Sequence, residues 1–163
     1  MSQQAEVPRL VEQNFPAPTP RSNQKEVIVD AVNSLLFEDY DVVLVDAPPG
    51  FGKSIALYTI MDVVNEIKGS KGYYTTPLKV LQDQLVDDKF IGDDVVQIKG
   101  RNNYDCILPE ADAGTTVDEA KCQRNSDFDC DLKGECPYYV QKEKAKKHSK
   151  TVMNTSYMMA ESM

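Results

Sequence analysis

The sequence predicts an α/β protein: a parallel sheet flanked by helices and interrupted by a cysteine-rich insertion. Three observations predict it. Over the first hundred residues, short apolar runs alternate with runs of helical periodicity. The stretch APPGFGKS (47–54) has the form of a glycine-rich loop between a buried strand and a helix. All four cysteines fall between positions 106 and 136.

Residues 1–20 contain Pro8, Pro16, Pro18 and Pro20 and are expected to form an extended leading segment. Ile28, Ala31, Val32, Leu35 and Leu36 recur at helical spacing, so 22–37 is an amphipathic helix with Ser22 as its N-cap. VVLVD (42–46) lacks polar alternation and reads as a strand buried on both faces. The helix over 53–67 is apolar nearly all round and stops at KGSKG. GYYTTP (72–77) is a second strand, with Thr76 as N-cap and Pro77 as first position of the next helix. Leu78, Leu81 and Leu85 give that helix its apolar stripe. DVVQIKG (94–100) is a third strand. TVMNTSYMM (151–159) is strand-like again. These features divide the chain into a leading segment (1–20), a sheet-forming part (21–100), the insertion (101–140) and a returning helix and strand (141–163).

The chain has 163 residues, enough for one domain with a core. A formal net charge of −8 argues against a generally basic nucleic-acid coat but allows local basic patches. The opening residues lack an apolar signal-peptide core, and no run is long enough to span a bilayer. The expected location is the cytoplasm, with the nucleoid or a viral host's cytoplasm as variants.

Gly50 and Gly52 let the backbone turn tightly around a ligand. Several backbone N–H groups and the N-terminus of the following helix would then point at an anion. Lys53 is placed to reach the β- and γ-phosphates, and the Ser54 hydroxyl to ligate Mg²⁺. The loop set is Ala47, Pro48, Pro49, Gly50, Phe51, Gly52, Lys53 and Ser54. Ala47 stands where the pattern has its first glycine, a position that needs a small residue.

Cys106, Cys122, Cys130 and Cys136 are separated by fifteen, seven and five residues. There is no C-x-x-C knuckle of the kind zinc ribbons use, and His148 lies outside the run. The spacing suits a four-cysteine iron–sulfur cluster, with zinc and unliganded or disulfide-paired thiols as alternatives. Eight acids against three basic residues between Cys106 and Cys136 make the insertion itself a poor DNA surface.

Five stretches, in order, resemble motifs of the iron–sulfur superfamily 2 DNA helicases of the XPD/DinG type. RSNQ (21–24) resembles the adenine-reading Q-motif region, APPGFGKS motif I, and TTPLKVLQDQL (75–85) motif Ia. KGRNNYDC (99–106) resembles the segment bearing the first cluster ligand. CPYYVQKEKAKKHSKTVMNTSYMM (136–159) resembles the last ligand with its helix and following strand. The resemblance implies a partial RecA-like P-loop domain with an iron–sulfur insertion. It implies ATP and Mg²⁺ at the phosphate loop, with Lys53 as the catalytic lysine and Gln24 on the adenine. It also implies a [4Fe–4S] cluster on Cys106, Cys122, Cys130 and Cys136. Single-stranded DNA or a forked duplex would be tracked 5′ to 3′, with Thr76, Lys79 and Arg101 at the strand. Leu78 stands where the family commonly has threonine.

The same family places a DEAH-type acid after the strand of MNTSYMM. Asp46, Asp62 and Glu66 do not follow an apolar strand as that acid does. The expectation is therefore the N-terminal portion of an ATP-dependent helicase, not hydrolysis-competent alone, working with the other half of the motor or another protein. The alternatives are a stand-alone, non-catalytic nucleotide- or DNA-binding module and a zinc-stapled P-loop protein outside the helicases. Lys142, Lys144, Lys146, Lys147 and Lys150 form either a solvated helix face or a phosphate-contacting patch. Tyr104, Tyr138 and Tyr139 are expected to pack within the insertion in preference to stacking on bases.

Overall fold

The computed structural model describes residues 3–38, 40–125 and 127–161. Met1, Ser2, Ser162 and Met163, the outer ends of the first and last segments, lie outside the described residues. The element order is α1 (Gln3–Asn14), α2 (Gln24–Phe37), α3 (Lys53–Lys68), β1 (Gly72–Thr76), α4 (Lys79–Val86), β2 (Val96–Ile98), α5 (Lys121–Arg124), α6 (Pro137–Lys147), β3 (Lys150–Asn154) and α7 (Thr155–Glu161). The sheet order is β1-β3-β2, so the last strand lies between the first two. Both pairings are parallel, Gly72 opposite Lys150 through Thr76 opposite Asn154, and Val96 opposite Thr151 through Ile98 opposite Met153. The protein is thus α/β with a small parallel sheet, as the alternation predicts. Parallel neighbours need long crossovers, and the β2–β3 crossover contains the whole cysteine insertion.

The central strand is covered on both faces. Val152 packs with Tyr58 of α3, Leu85 of α4, Ile91 and Val95. Its neighbour Met153 points the other way and packs with Val96, Ile98, Val117, Cys136, Tyr138 and Ala145. Successive strand side chains alternate faces, which produces this division. A third cluster joins Val7, Leu10 and Val11 of α1, Ile28 and Val32 of α2, and Ala56 and Val63 of α3.

Several sequence expectations are corrected. Residues 3–14 are the helix α1, with Pro8 inside it, and not an extended segment; 15–20 remain non-helical. An interior proline costs a helix about 3 kcal/mol. Burying Val7, Leu10 and Val11 offsets that loss, at roughly 1.5–3 kcal/mol for each fully buried side chain. Asn23, in the left-handed region at φ 58°, takes the cap position of α2 in place of Ser22, whose hydroxyl hydrogen-bonds to Asn23 Oδ1 at 3.2 Å. Thr76 ends β1 and does not cap α4; Leu78 holds that position in extended conformation. Leu78 and Leu81 are exposed, and α4 buries Gln82 and Leu85. The stripe fails because Gln82 is needed inside: its amide nitrogen donates to Ile98 O at 2.8 Å and Val152 O at 3.2 Å, clipping β2 to β3. The strand of 151–159 ends at Asn154, whose Oδ1 accepts the Ser156 N–H at 2.8 Å and starts α7.

The largest correction concerns 42–46. The run forms no strand and pairs with none among the described residues, and Val42 and Leu44 are 80% and 93% exposed. An apolar run without polar alternation fits a sheet interior only when strands flank it. Here none does.

Candidate functional site

The glycine-rich loop at 47–54 forms the tight turn its sequence predicts. Gly50 and Gly52 both have φ 84°, in the left-handed region that excludes most side chains. A Cβ on Gly52 would also meet the Gln24 amide nitrogen at 2.6 Å. Phe51 N–H donates to Pro48 O at 3.2 Å, closing the turn, and the Phe51 ring rests against the cluster of α1, α2 and α3. Gly52 caps α3, so the helix opens at Lys53 and Ser54, where free backbone N–H groups and the helix dipole favour an anion. The Lys53 ammonium folds back onto the loop, donating to Ala47 O at 2.5 Å and Pro48 O at 2.9 Å.

Gln24 is tied into this loop. Its Oε1 accepts the Arg21 N–H at 2.9 Å, and its Nε2 donates to Gly52 O at 3.1 Å. At 2% exposed, the side chain braces α2 against the phosphate loop. A solvated helix residue would make neither bond.

The insertion brings its four cysteines together. Cys106, Cys122, Cys130 and Cys136 line one small cavity with Leu108, Leu132 and Tyr139 among its apolar neighbours. None is disulfide-bonded, and Cys136 is buried in the core beneath the sheet. Burial pushes the Cys130 thiol up, and the sulfurs of Cys122, Cys136 and Cys106 push the same way, while a backbone hydrogen bond at Leu132 opposes them. Among the described residues, no group of three His, Cys, Asp or Glu side chains is drawn together as around a single metal ion. Short backbone links hold the segment: Cys106 N–H to Thr115 O at 2.9 Å, Val117 N–H to Tyr104 O at 2.9 Å, and Cys136 N–H to Leu132 O at 2.9 Å. Tyr138 is fully buried and meets Tyr104 and Tyr139 edge-to-face, at centroid separations of 5.7 and 5.2 Å. The tyrosines pack, as expected.

At the carboxyl ends of the strands lies a cavity of about 520 Å³. Open α/β sheets bind ligands at this edge. Lys79, Lys99 and Arg101 line it with Asn102, Asn103 and Asn154, against the carboxylates of Asp118 and Glu161. Two of the three predicted DNA residues, Lys79 and Arg101, therefore share one cavity. Thr76 does not line it: the residue is 3% exposed, and its hydroxyl is buried without a partner. Lys79 donates to Asn103 Oδ1 at 2.9 Å, and Asn154 Nδ2 to Pro77 O at 2.9 Å. The contributions of Lys99 and Asn103 were not singled out from sequence, although both lie in the KGRNNYDC stretch.

The lysine run divides. Lys142 reaches the rim of this edge through Glu161, and Lys144 and Lys147 line a groove on the other side of α6 with Lys133 and Tyr139. Lys150 belongs to neither a solvated face nor a phosphate patch. It is 4% exposed and pairs with Asp62 and Asp94, and it donates to the Tyr58 hydroxyl at 3.2 Å. His148 and Ser149 already end the helix, so Lys150 starts the strand and points inward. Burial acts to lower its ammonium, but the bonds from Asp62, Asp94 and Tyr58 outweigh this and hold it well above the usual lysine range. Asp62 is thereby committed to structure, and Glu66 accepts a hydrogen bond from Asn14 Nδ2 at 2.9 Å.

Among the described residues, no helix is long and apolar enough to cross a membrane. No protein-family model matches this chain, and no curated protein matches it.

Proposed function

We propose that the chain is the N-terminal motor portion of an ATP-dependent DNA helicase of the iron–sulfur class, with the partial RecA-like fold that such a motor uses. In this reading the phosphate loop binds ATP–Mg²⁺, the four cysteines hold a [4Fe–4S] cluster, and the strand-end cavity takes single-stranded DNA. One observation carries it: β3 joins the two motif sets in a single body. Its Val152 packs on the phosphate-loop helix, and its Met153 packs on the cysteine insertion.

Each part has a physical role. The N–H groups at the head of α3 donate to the phosphate oxygens, and Lys53 exchanges two carbonyl partners for phosphate oxygens, a charge-assisted pairing. Ser54 offers its hydroxyl to Mg²⁺, which neutralises phosphate charge when bound. Gln24 has an amide hydrogen and a lone pair left for an adenine edge after bracing the loop. Cys106, Cys122, Cys130 and Cys136 supply the all-thiolate donor set that iron–sulfur clusters take, and a bound cluster would staple a segment with little apolar periodicity. Lys79, Lys99 and Arg101 offer phosphate contacts.

Hydrolysis and 5′ to 3′ translocation are proposed for the assembled motor. Asp62 and Glu66 are engaged with Lys150 and Asn14. The exposed apolar run at 42–46 favours a partner that completes the sheet beside the loop, whether the rest of the motor or another protein, over a stand-alone module. A fluorescent ATP analogue titrated with Mg²⁺ tests the reading. Lys53→Ala should weaken binding by about 100-fold, the loss expected for charge-assisted contacts worth ~3 kcal/mol. Equal binding by the variant would refute the phosphate-loop assignment.

A further inference from the structure

Glu161 sits where an anion is wanted. Its carboxylate accepts the Tyr138 hydroxyl at 2.9 Å on one oxygen and the Lys142 ammonium on the other. The Arg101 guanidinium stands 3.8 Å from the first oxygen. Both cations also lie over the Tyr138 ring, Arg101 at 5.2 Å and Lys142 at 5.8 Å from its centroid. Three donors, Arg101 from the turn after β2 and Tyr138 and Lys142 from α6, thus converge on one negative group at the edge of the strand-end cavity. A second, independent observation points to a ligand there: the Arg101 Nε is buried and has no hydrogen-bond partner. Glu161 engages Tyr138, Lys142 and one face of the guanidinium but leaves this nitrogen unpaired.

The helix that delivers Glu161 is suited to leave. α7 has seven residues, and none is buried. Tyr157 touches the Tyr138 hydroxyl at 3.3 Å, Ser156 N–H is held by Asn154 Oδ1 at the helix start, and Glu161 carries the ties to Tyr138, Lys142 and Arg101.

We propose that Arg101, Lys142 and the Tyr138 hydroxyl form a binding site for one backbone phosphodiester of single-stranded DNA, and that Glu161 fills it while no strand is bound. The inference rests on the DNA-binding reading of the cavity and adds both a phosphate seat and its internal competitor. A phosphodiester matches the site because it offers two unesterified oxygens and a full negative charge to the same three donors. Binding then requires Glu161 to be displaced, so the acid sets a threshold that a strand must exceed.

The test uses the full chain and a fluorescein-labelled oligo(dT), with anisotropy read across a salt series. Glu161→Gln removes the charge but keeps an acceptor for Tyr138, and should tighten binding about fivefold at low salt, since a like charge beside a phosphate is lost. Lys142→Ala should weaken binding and lower the salt slope by about 0.7, one phosphate contact on a single strand. Arg101→Ala should do the same, and Lys142→Ala decides the matter should the arginine variant misfold. Glu143→Gln is the control, because Glu143 pairs with Lys146 on the exposed side of α6. Equal tightening by Glu143→Gln would mean a bulk charge effect and overturn the proposal. So would oligo(dT) binding that Glu161→Gln and Lys142→Ala leave unchanged, with the DNA reading itself intact. No binding by any variant would sink the DNA reading and this site together.

Discussion

The phosphate loop and the cysteine insertion reverse each other's strengths. The loop is complete locally: its two left-handed glycines, its turn and its helix start all come from eight consecutive residues. Yet the run that leads into it lies exposed and unpaired. The insertion has short helices and few apolar side chains, but its last cysteine and Tyr138 are sunk into the core beneath β2 and β3. A local motif can therefore form without its tertiary frame, while a segment without local regularity can be anchored by a few buried residues. The two regions should fail in different ways when perturbed.

The largest effect is expected in the insertion. Cys106→Ser should remove the cluster iron and open residues 101–136 to protease, because metal binding and folding are coupled in such segments. The sheet should stay folded, and ATP binding should persist. Retained iron would refute the ligand set, and loss of ATP binding would show that the two regions are not separable.

The next effect lies between the regions, at the ionic cluster that ties α3 to β3. Lys150→Met should destabilise the fold by about 3 kcal/mol, as removing one partner of a buried pair leaves carboxylates uncompensated. The sign with pH follows from both partners. Lys150 is raised, so its contribution is complete below an unfolded value of ~10.4 and is lost as pH rises through the folded value. Burial acts to raise Asp94, but the Lys150 and Tyr58 bonds outweigh it and hold the carboxyl down. Its contribution is therefore present above ~3.9 and lost as pH falls. Denaturant melts should show a constant gap between wild type and variant from about pH 5 to 10 that closes in acid. A gap unchanged at pH 2 would rule the ion pairs out as its source.

The smallest effect is expected at Thr76. Thr76→Val replaces a buried hydroxyl that has no partner. Stability should hold or rise by up to about 1 kcal/mol, because an unsatisfied polar group is removed. Affinity for oligo(dT) should not change. A clear loss of affinity would restore the hydroxyl to the DNA contact that the motif Ia resemblance implies.

How much the sequence revealed tracks how local each signal is. The α3 helix, β1 and the glycine turn depend on neighbours in the chain, and all are where periodicity and motif place them. The α1 helix hides behind Pro8, because what forms it is burial against α2 and α3, a tertiary gain that outweighs propensity. Gln82 breaks an apolar stripe that looked sound, since the contact it serves lies on two strands distant in sequence. Lys150 looked like one more cation in a basic run. Only the strand start at Lys150 turns it inward onto Asp62 and Asp94, from α3 and the turn before β2. At the candidate site, Lys79 and Arg101 were legible through motif resemblance. Glu161 was not, because a single acid in a short helix carries no pattern.

The central claim is that the four cysteines hold an iron–sulfur cluster within the same body as the phosphate loop. Anaerobic purification followed by metal and acid-labile sulfide analysis tests it most directly. The account predicts a brown protein with about four irons and four sulfides per chain. A colourless protein carrying one zinc, or no metal at all, would contradict it.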